Sequence, residues 1–285
     1  MPGIKVLMNG AVSIVNAIAT GKGATLGTSL KTTIRVNSSK NKVGILAESA
    51  NAYRAKFIKL IIKQIVPSGI LLNTGLHISI DSNIPMGYGL KSSSIISTGI
   101  SLACNKLFKL GLNEADVLNS SVLASIKAGV SITGAYDDAC GCYYGGFVVT
   151  DNIKNKIIKA EKCNEKLSVV IFIPKLLKRK KVKALKRLNF VFNKAWILAQ
   201  RSDYWNAMTL NGIAISIIFN LNPNLILSLM EKGAFAASTS GNGTSIVAIT
   251  KNKDINTINK VFRSYYEGNI ILTSINNNKP ETYEL

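Results

Sequence analysis

"IPMGYGLKSSSIIS", residues 84–97, decides how this chain is read. A proline and two glycines are followed by a lysine, three consecutive serines and an apolar run. Before it, "GLHISIDS" (75–82) alternates apolar and polar residues, which predicts a half-buried strand. After it, the apolar, small-residue run predicts a helix over 92–109. The stretch is therefore a glycine loop that opens a helix. The first turn of such a helix presents free backbone N–H groups and the positive end of the helix dipole. Gly87 and Gly89 let the backbone approach a ligand closely, Ser92, Ser93 and Ser94 add hydroxyls, and Lys91 adds a point charge. Together these suit phosphate. The competing reading is an ordinary helix start with redundant capping serines. The loop is not a Walker A motif, since no G-x-x-x-x-G-K-[ST] occurs, and "GKG" at 21–23 lacks both the first glycine and the final hydroxyl. It does not fit the dinucleotide-binding fingerprint either.

Outward from the loop, residues 4–8 and 31–36 read as short strands. Residues 51–66 have helical spacing, stopped by Pro67-Ser68-Gly69, and a helix over 113–128 starts from Asn113 as N-cap. Residues 128–152 are glycine-rich and then strand-like, and 166–174 is a buried strand ended by proline. Two or three helices fill 180–232, and 233–249 reads as strand, tight glycine turn, strand. A helix near 254–266 and a strand near 269–275 follow. This mixed order predicts an α+β fold in two halves, 1–150 and 151–285.

With 285 residues and 47% hydrophobic content, the chain can build a sizeable core. Its 35 Lys+Arg against 15 Asp+Glu give a net charge of +20. That balance suggests nucleic-acid binding, but the lysines are scattered and no aromatic-and-basic motif accompanies them. The charge is read instead as compositional, with no nucleic-acid partner expected. One dense cluster, "KLLKRKKVKALKR" (175–187), is read as a solvated face or lid. Four cysteines and a single histidine, His77, provide neither a zinc site nor a disulfide framework, so a reducing, cytoplasmic setting is expected. The apolar N-terminus is interrupted by Asn9, Gly10 and Asn16 and is read as structure rather than a targeting segment. No run approaches the roughly eighteen apolar residues that span a bilayer, so no membrane partner is expected.

Transfer of phosphate to an alcohol needs a group that takes or orients the hydroxyl proton. With one histidine, that group is expected to be a carboxylate. Asp137-Asp138, in "TGAYDDACG", is the one adjacent acidic pair in the chain. Taken alone, the pair reads better as a solvated helix cap than as a catalytic group.

The loop Pro85-Met86-Gly87-Tyr88-Gly89-Leu90-Lys91-Ser92-Ser93-Ser94, with Ile95 opening the apolar run, resembles the ATP loop of GHMP-type small-molecule kinases. "TGAYDDACG" resembles their second motif, a catalytic Asp after a glycine-containing turn with Gly-Gly (here Gly145-Gly146) a few residues later. The preceding turn aligns with Asp137 and the spacing to the glycine pair with Asp138, so both stand as catalytic candidates. "STSGNGTS" (238–245) resembles the third motif, with Gly241 and Gly243 facing the phosphates, although Thr244 replaces a frequent proline.

Within that superfamily, "VSIVNAIATGKGATLG" (12–27), "IPMGYGLKSSS" (84–94), "AGVSITGAYDDAC" (128–140) and "DYWNAMTLNG" (203–212) resemble the archaeal-type shikimate kinases, in the family's order. The resemblance implies an N-terminal half like the second domain of ribosomal protein S5 and a ferredoxin-like C-terminal half, with both ligands in the cleft between. It implies ATP-dependent phosphorylation of the shikimate 3-hydroxyl, on the path to chorismate and the aromatic amino acids. It also implies Mg2+ with the ATP. Several GHMP kinases carry a magnesium-binding Glu before the catalytic Asp, but no acidic residue lies between Asp116 and Asp137 here. The metal then falls to a serine of 92–94, with Ser93 the candidate, to the second Asp, or mostly to the nucleotide. The second Asp alternatively caps the helix or holds Lys22. Asn16, Thr20 and Lys22 are the expected acceptor-side contacts. Two other readings are kept: a GHMP kinase for homoserine, mevalonate or another small alcohol, and a basic RNA-binding protein with steeply salt-dependent affinity.

Overall fold

A long antiparallel hairpin organises the first half of the computed structural model, which describes residues 2–39, 43–48, 52–131, 133–175 and 182–285. Strand β1 (Gly3–Val15) pairs with β2 (Lys22–Ser39), with register shifts at Asn9/Gly10 and Ser13/Val15. Such bulges bend a hairpin, and β2 accordingly takes different neighbours along its length. Its later part pairs with β4 (Gly75–Ser82), and β3 (Gly44–Ala47) lies parallel to β4. Its first residues pair with β5 (Phe147–Asp151), which is extended by β6 (Lys156–Glu161). The last strand, β11 (Glu281–Glu284), returns to the other side of β1.

Helices α1 (Ala52–Ile65), α2 (Ser68–Leu71), α3 (Ser92–Leu107), α4 (Glu114–Lys127) and α5 (Tyr136–Tyr144) belong to this half. The core helix α3 packs on β1 and β2, and α5 packs beside it on the same two strands. Both motif helices therefore begin on one sheet. Asn113 caps α4 as expected, in a reciprocal capping box with Asp116.

The second sheet contains β7 (Ser168–Pro174), β8 (Ala234–Thr239), β9 (Ile246–Thr250) and β10 (Gly268–Ser274), in the antiparallel order β10-β7-β9-β8. Helices α6 (Asn189–Gln200), α7 (Tyr204–Phe219) and α8 (Asn224–Glu231) lie between β7 and β8, and α9 (Ile255–Tyr265) joins β9 to β10. This is the βαββαβ plan of a ferredoxin-like fold. The period-two alternation of β7 divides the cores. Val169, Ile171 and Ile173 join the core shared with the first sheet, while Val170 and Phe172 face α8 and α9. There Phe172 stacks on Phe262 with ring centroids 5.0 Å apart.

The apolar N-terminus is thus a sheet strand, longer than the 4–8 read from the pattern. Residues 136–144 form a helix within a stretch read only as glycine-rich and then strand-like. Positive φ at Gly134 and Ala135 turns the chain into α5, and positive φ at Gly145 and Gly146 takes it out into β5. The first sheet runs past residue 150 through β6, because β5 and β6 form one hairpin on β2, and it regains the chain's last strand, β11, after the second sheet is complete. Residues 176–181 of the basic cluster lie outside the described residues, and Val182–Leu188 forms a 3-10 helix. Among the described residues, no helix is long and apolar enough to cross a membrane.

Candidate active site

The start of α3, the start of α5, the end of β1 and the β8–β9 turn line one cleft of about 350 Å³. Its walls include Gly87, Gly89, Leu90, Lys91, Ser92, Ser93 and Ser94 from the first glycine loop, Asp137 and Asp138 from α5, Gly241 and Gly243 from the third glycine turn, and Asn16. Three stretches singled out from sequence, far apart along the chain, therefore meet.

The meeting is backbone against backbone. Gly89, with φ +82°, sits so close to the third turn that a Cβ would overlap the Ser240 carbonyl, and a Cβ on Gly243 would overlap the backbone of Tyr88. Side-chain hydroxyls pin the contact. Ser240 Oγ donates to the Gly89 carbonyl at 2.8 Å, and Ser245 Oγ donates to the Tyr88 carbonyl at 2.6 Å. Ser13, at the end of β1, joins the first loop to the third turn. Its Oγ accepts from Lys91 Nζ at 2.6 Å and from the Gly241 N–H at 3.0 Å, and its own N–H donates to Ser240 Oγ at 3.1 Å. Asn16 Nδ2 donates to the Gly241 carbonyl at 2.9 Å, while its backbone N–H donates to Asn211 Oδ1 at 2.9 Å. Asn211 in turn donates to Ser238 Oγ at 2.8 Å.

The two carboxylates occupy different environments. Asp138 Oδ1 is 2.7 Å from Lys91 Nζ, with side chains 20% and 2% exposed respectively. Asp137 is buried. One of its oxygens lies over Gly23, where a Cβ would overlap it, and the other accepts from Asn152 Nδ2 at 2.7 Å. Burial, reinforced by the neighbouring Asp138, pushes the Asp137 carboxyl up to about 7, against the opposing pull of Lys91 and Asn152. Burial alone would lower the Lys91 ammonium, but Asp138 and Asp137 outweigh it and hold the group above its ordinary value. Lys91 therefore stays charged and binds a carboxylate, rather than standing in the loop as an uncommitted cation.

The remaining expected residues are distributed more widely. Met86 and Tyr88 are exposed on the loop, Pro85 precedes them outside the cleft lining, and Ile95 is buried in the core. Thr20 and Lys22 do not line the cleft. Thr20 Oγ1 accepts the Lys22 N–H at 3.2 Å, and Lys22 Nζ sits 4.6 Å from the centre of the Trp196 ring. The Lys22–carboxylate pair left open from sequence does not form, because Lys91 takes Asp138 and Asn152 takes Asp137. Ser13, Asn152, Asn211 and Ser240 were not singled out as site residues. Their partners lie up to 228 residues away, and no local spacing signals them.

Residues 52–146 match the family described as GHMP kinases N terminal domain. The chain is 34% identical to a shikimate kinase of Pyrococcus furiosus over 93% of this chain and 96% of that protein. It is 31% identical to one of Methanobrevibacter smithii, over 94% and 95%, and 34% identical to one of Methanosarcina acetivorans, over 94% and 92%. In fold it resembles a homoserine kinase from Cytophaga hutchinsonii, with TM-score 0.73 and 17% identity over 99% of this chain and 97% of that one. It also resembles the Methanococcus jannaschii mevalonate kinase, with TM-score 0.70 and 16% identity over 96% and 98%. A cleft built from two glycine segments and an aspartate pair thus accompanies near full-length similarity at these levels, and the chain belongs to the archaeal-type shikimate kinases of the GHMP kinase superfamily.

Proposed function

We propose that this protein transfers the terminal phosphoryl group of ATP to the 3-hydroxyl of shikimate, giving 3-phosphoshikimate and ADP for chorismate and aromatic amino acid synthesis. The observation that carries the mechanism is the placement of Asp138 and Lys91 in one cleft with the Ser92–Ser94 helix start. Asp138 is the carboxylate with exposed surface and an adjacent ammonium, which suits a group that accepts the hydroxyl proton. Asp137, held between Gly23 and Asn152, is the supporting member. The first turn of α3 offers backbone N–H groups to the phosphates. The Gly241–Gly243 turn lies beside it in the cleft, its own Gly241 and Gly243 N–H groups bonded to Ser13 Oγ and the Ser240 carbonyl.

Magnesium, which neutralises phosphate charge in such reactions, is assigned mainly to the nucleotide. Among the described residues, no group of three or more His, Cys, Asp or Glu is arranged to hold a metal ion, and Ser93 is an exposed cleft hydroxyl able to contribute one oxygen. Asn16 is assigned to the acceptor side of the cleft, with Thr20 and Lys22 on the segment that leads away from it. Lys22→Ala should raise the shikimate KM more than the ATP KM; equal effects remove Lys22 from that role. A cytoplasmic setting accompanies this reading, supported by four free, buried thiols.

The test is ADP release from Mg-ATP with shikimate, homoserine and mevalonate offered separately. Turnover with shikimate alone, abolished in Asp138→Asn, is the expected result. Turnover with homoserine or mevalonate instead would keep the kinase and overturn the acceptor.

A further inference from the structure

Helix α5 carries both carboxylates, yet it begins without a cap of its own. Its N-cap residue, Ala135, has a left-handed backbone and no side-chain acceptor. The N–H of Asp137, in the first turn, therefore needs a partner from elsewhere. Asn152, just past the end of β5, supplies it: its Oδ1 accepts the Asp137 N–H at 3.1 Å. The same atom accepts the Thr150 hydroxyl at 2.7 Å. Two donors converging on one atom identify it as the oxygen, so the amide nitrogen is the end that faces Asp137 Oδ1, at 2.7 Å. Asn152 and Thr150 are both buried. The Thr150 carbonyl accepts the indole N–H of Trp196 on α6 at 3.0 Å, which ties the arrangement to the second half of the chain.

We propose that Asn152 is a positioning residue of the phosphoryl-transfer site, capping α5 from outside the helix and clamping Asp137 so that Asp138 points at Lys91. The proposal rests on the reading of Asp138 as proton acceptor. A buried asparagine that only satisfied its own polar atoms would not need to grip both the backbone and the carboxylate of one residue. This grip fixes where the helix starts and how it is rotated, and Asp138 is the next residue along. Asp137 is faced by Asp138, Cys140 and Cys142 on α5, by Lys91 at the start of α3, and on β2 by Gly23 and Thr25. Among the neutral partners, Asn152 is the side chain that donates to its carboxylate.

Asn152→Ala and Thr150→Val, made in the full chain, test this by steady-state kinetics and by carboxyl carbon NMR titration of the aspartates. Asn152→Ala is expected to lower kcat at least about tenfold, with the ATP KM within about twofold of the native value. Loss of a donor to the ionised form should also move the Asp137 titration upward, by about one pH unit. Thr150→Val, which removes the hydroxyl that orients the amide, should act in the same direction and less strongly. Unchanged kcat or an unmoved titration in Asn152→Ala overturns the proposal. If that variant does not fold, an unmoved titration in Thr150→Val overturns it. If the native protein shows no turnover with shikimate, the substrate reading fails, while the titration still decides whether Asn152 clamps Asp137.

Discussion

Lys91 Nζ lies 2.7 Å from Asp138 Oδ1, and each residue stands at the start of a different helix. The pair joins the glycine-serine loop to the aspartate motif, and Ser13 extends it to the third glycine turn. Removing one member of a buried pair leaves the other charge uncompensated and typically costs about 3–5 kcal/mol. Lys91→Met should therefore destabilise the fold by about 3 kcal/mol and lower kcat by about 100-fold or more. Thermal unfolding and shikimate-dependent ADP release measure the two effects. A Met variant with native kcat would show that the ammonium takes no part in the reaction.

The two aspartates should separate kinetically. A positioned proton acceptor contributes about 10²–10⁴ in rate. Asp138→Asn is expected to lose activity in that range with the ATP KM little changed, because the phosphate-binding backbone is untouched. Asp137→Asn keeps the shape and the oxygen that meets Asn152, so its loss should be smaller. The reverse order would make Asp137 the proton acceptor.

The parts of this site legible in the sequence were those whose signal is local. Gly87 and Gly89 before Ser92–Ser94 announced a helix start, and Asp137-Asp138 after Gly134 stood out in a chain poor in acids. The α4 cap and the proline-ended β7 were read correctly for the same reason. Helix α5 was hidden because nine residues between glycine turns give little helical periodicity. Strand β1 was read short because Asn9, Gly10 and Ser13 break its pattern, and two register shifts absorb them. Strand β11, "ETYE", is exposed throughout and has no apolar alternation to detect. The roles of Ser13, Asn152 and Asn211 lie in bonds that exist only once distant segments have met.

Stability should carry the imprint of Asp137. Its carboxyl titrates near 7 in the folded chain against an ordinary 3.8. Between those values the folded form holds a proton that the unfolded chain has released, so this residue makes the fold less stable as pH rises through the window. Asp137→Asn removes the titration. Its melting temperature, relative to that of the native protein, should therefore increase from pH 4 to pH 8. A difference that stays flat across the window would mean that Asp137 is ionised in the fold at low pH.

Glycine at 89 is a steric requirement, and a matched pair of variants shows it. Gly89 has φ +82°, and a Cβ there would overlap the Ser240 carbonyl and crowd the Gly243 nitrogen. Neither neighbour is the end of a flexible side chain, so the loop and the third turn must part. Gly89→Ala should raise the ATP KM about tenfold or more and lower stability by at least about 1–3 kcal/mol from backbone strain alone. Gly69, in α2, has open space where its Cβ would stand and no positive φ. Gly69→Ala should leave the ATP KM unchanged and stabilise the protein by about 0.4–1 kcal/mol through the unfolded chain. Thermal unfolding and ATP titration of both variants decide the matter. If Gly89→Ala behaves like Gly69→Ala, the two glycine segments do not need to touch for the nucleotide to bind.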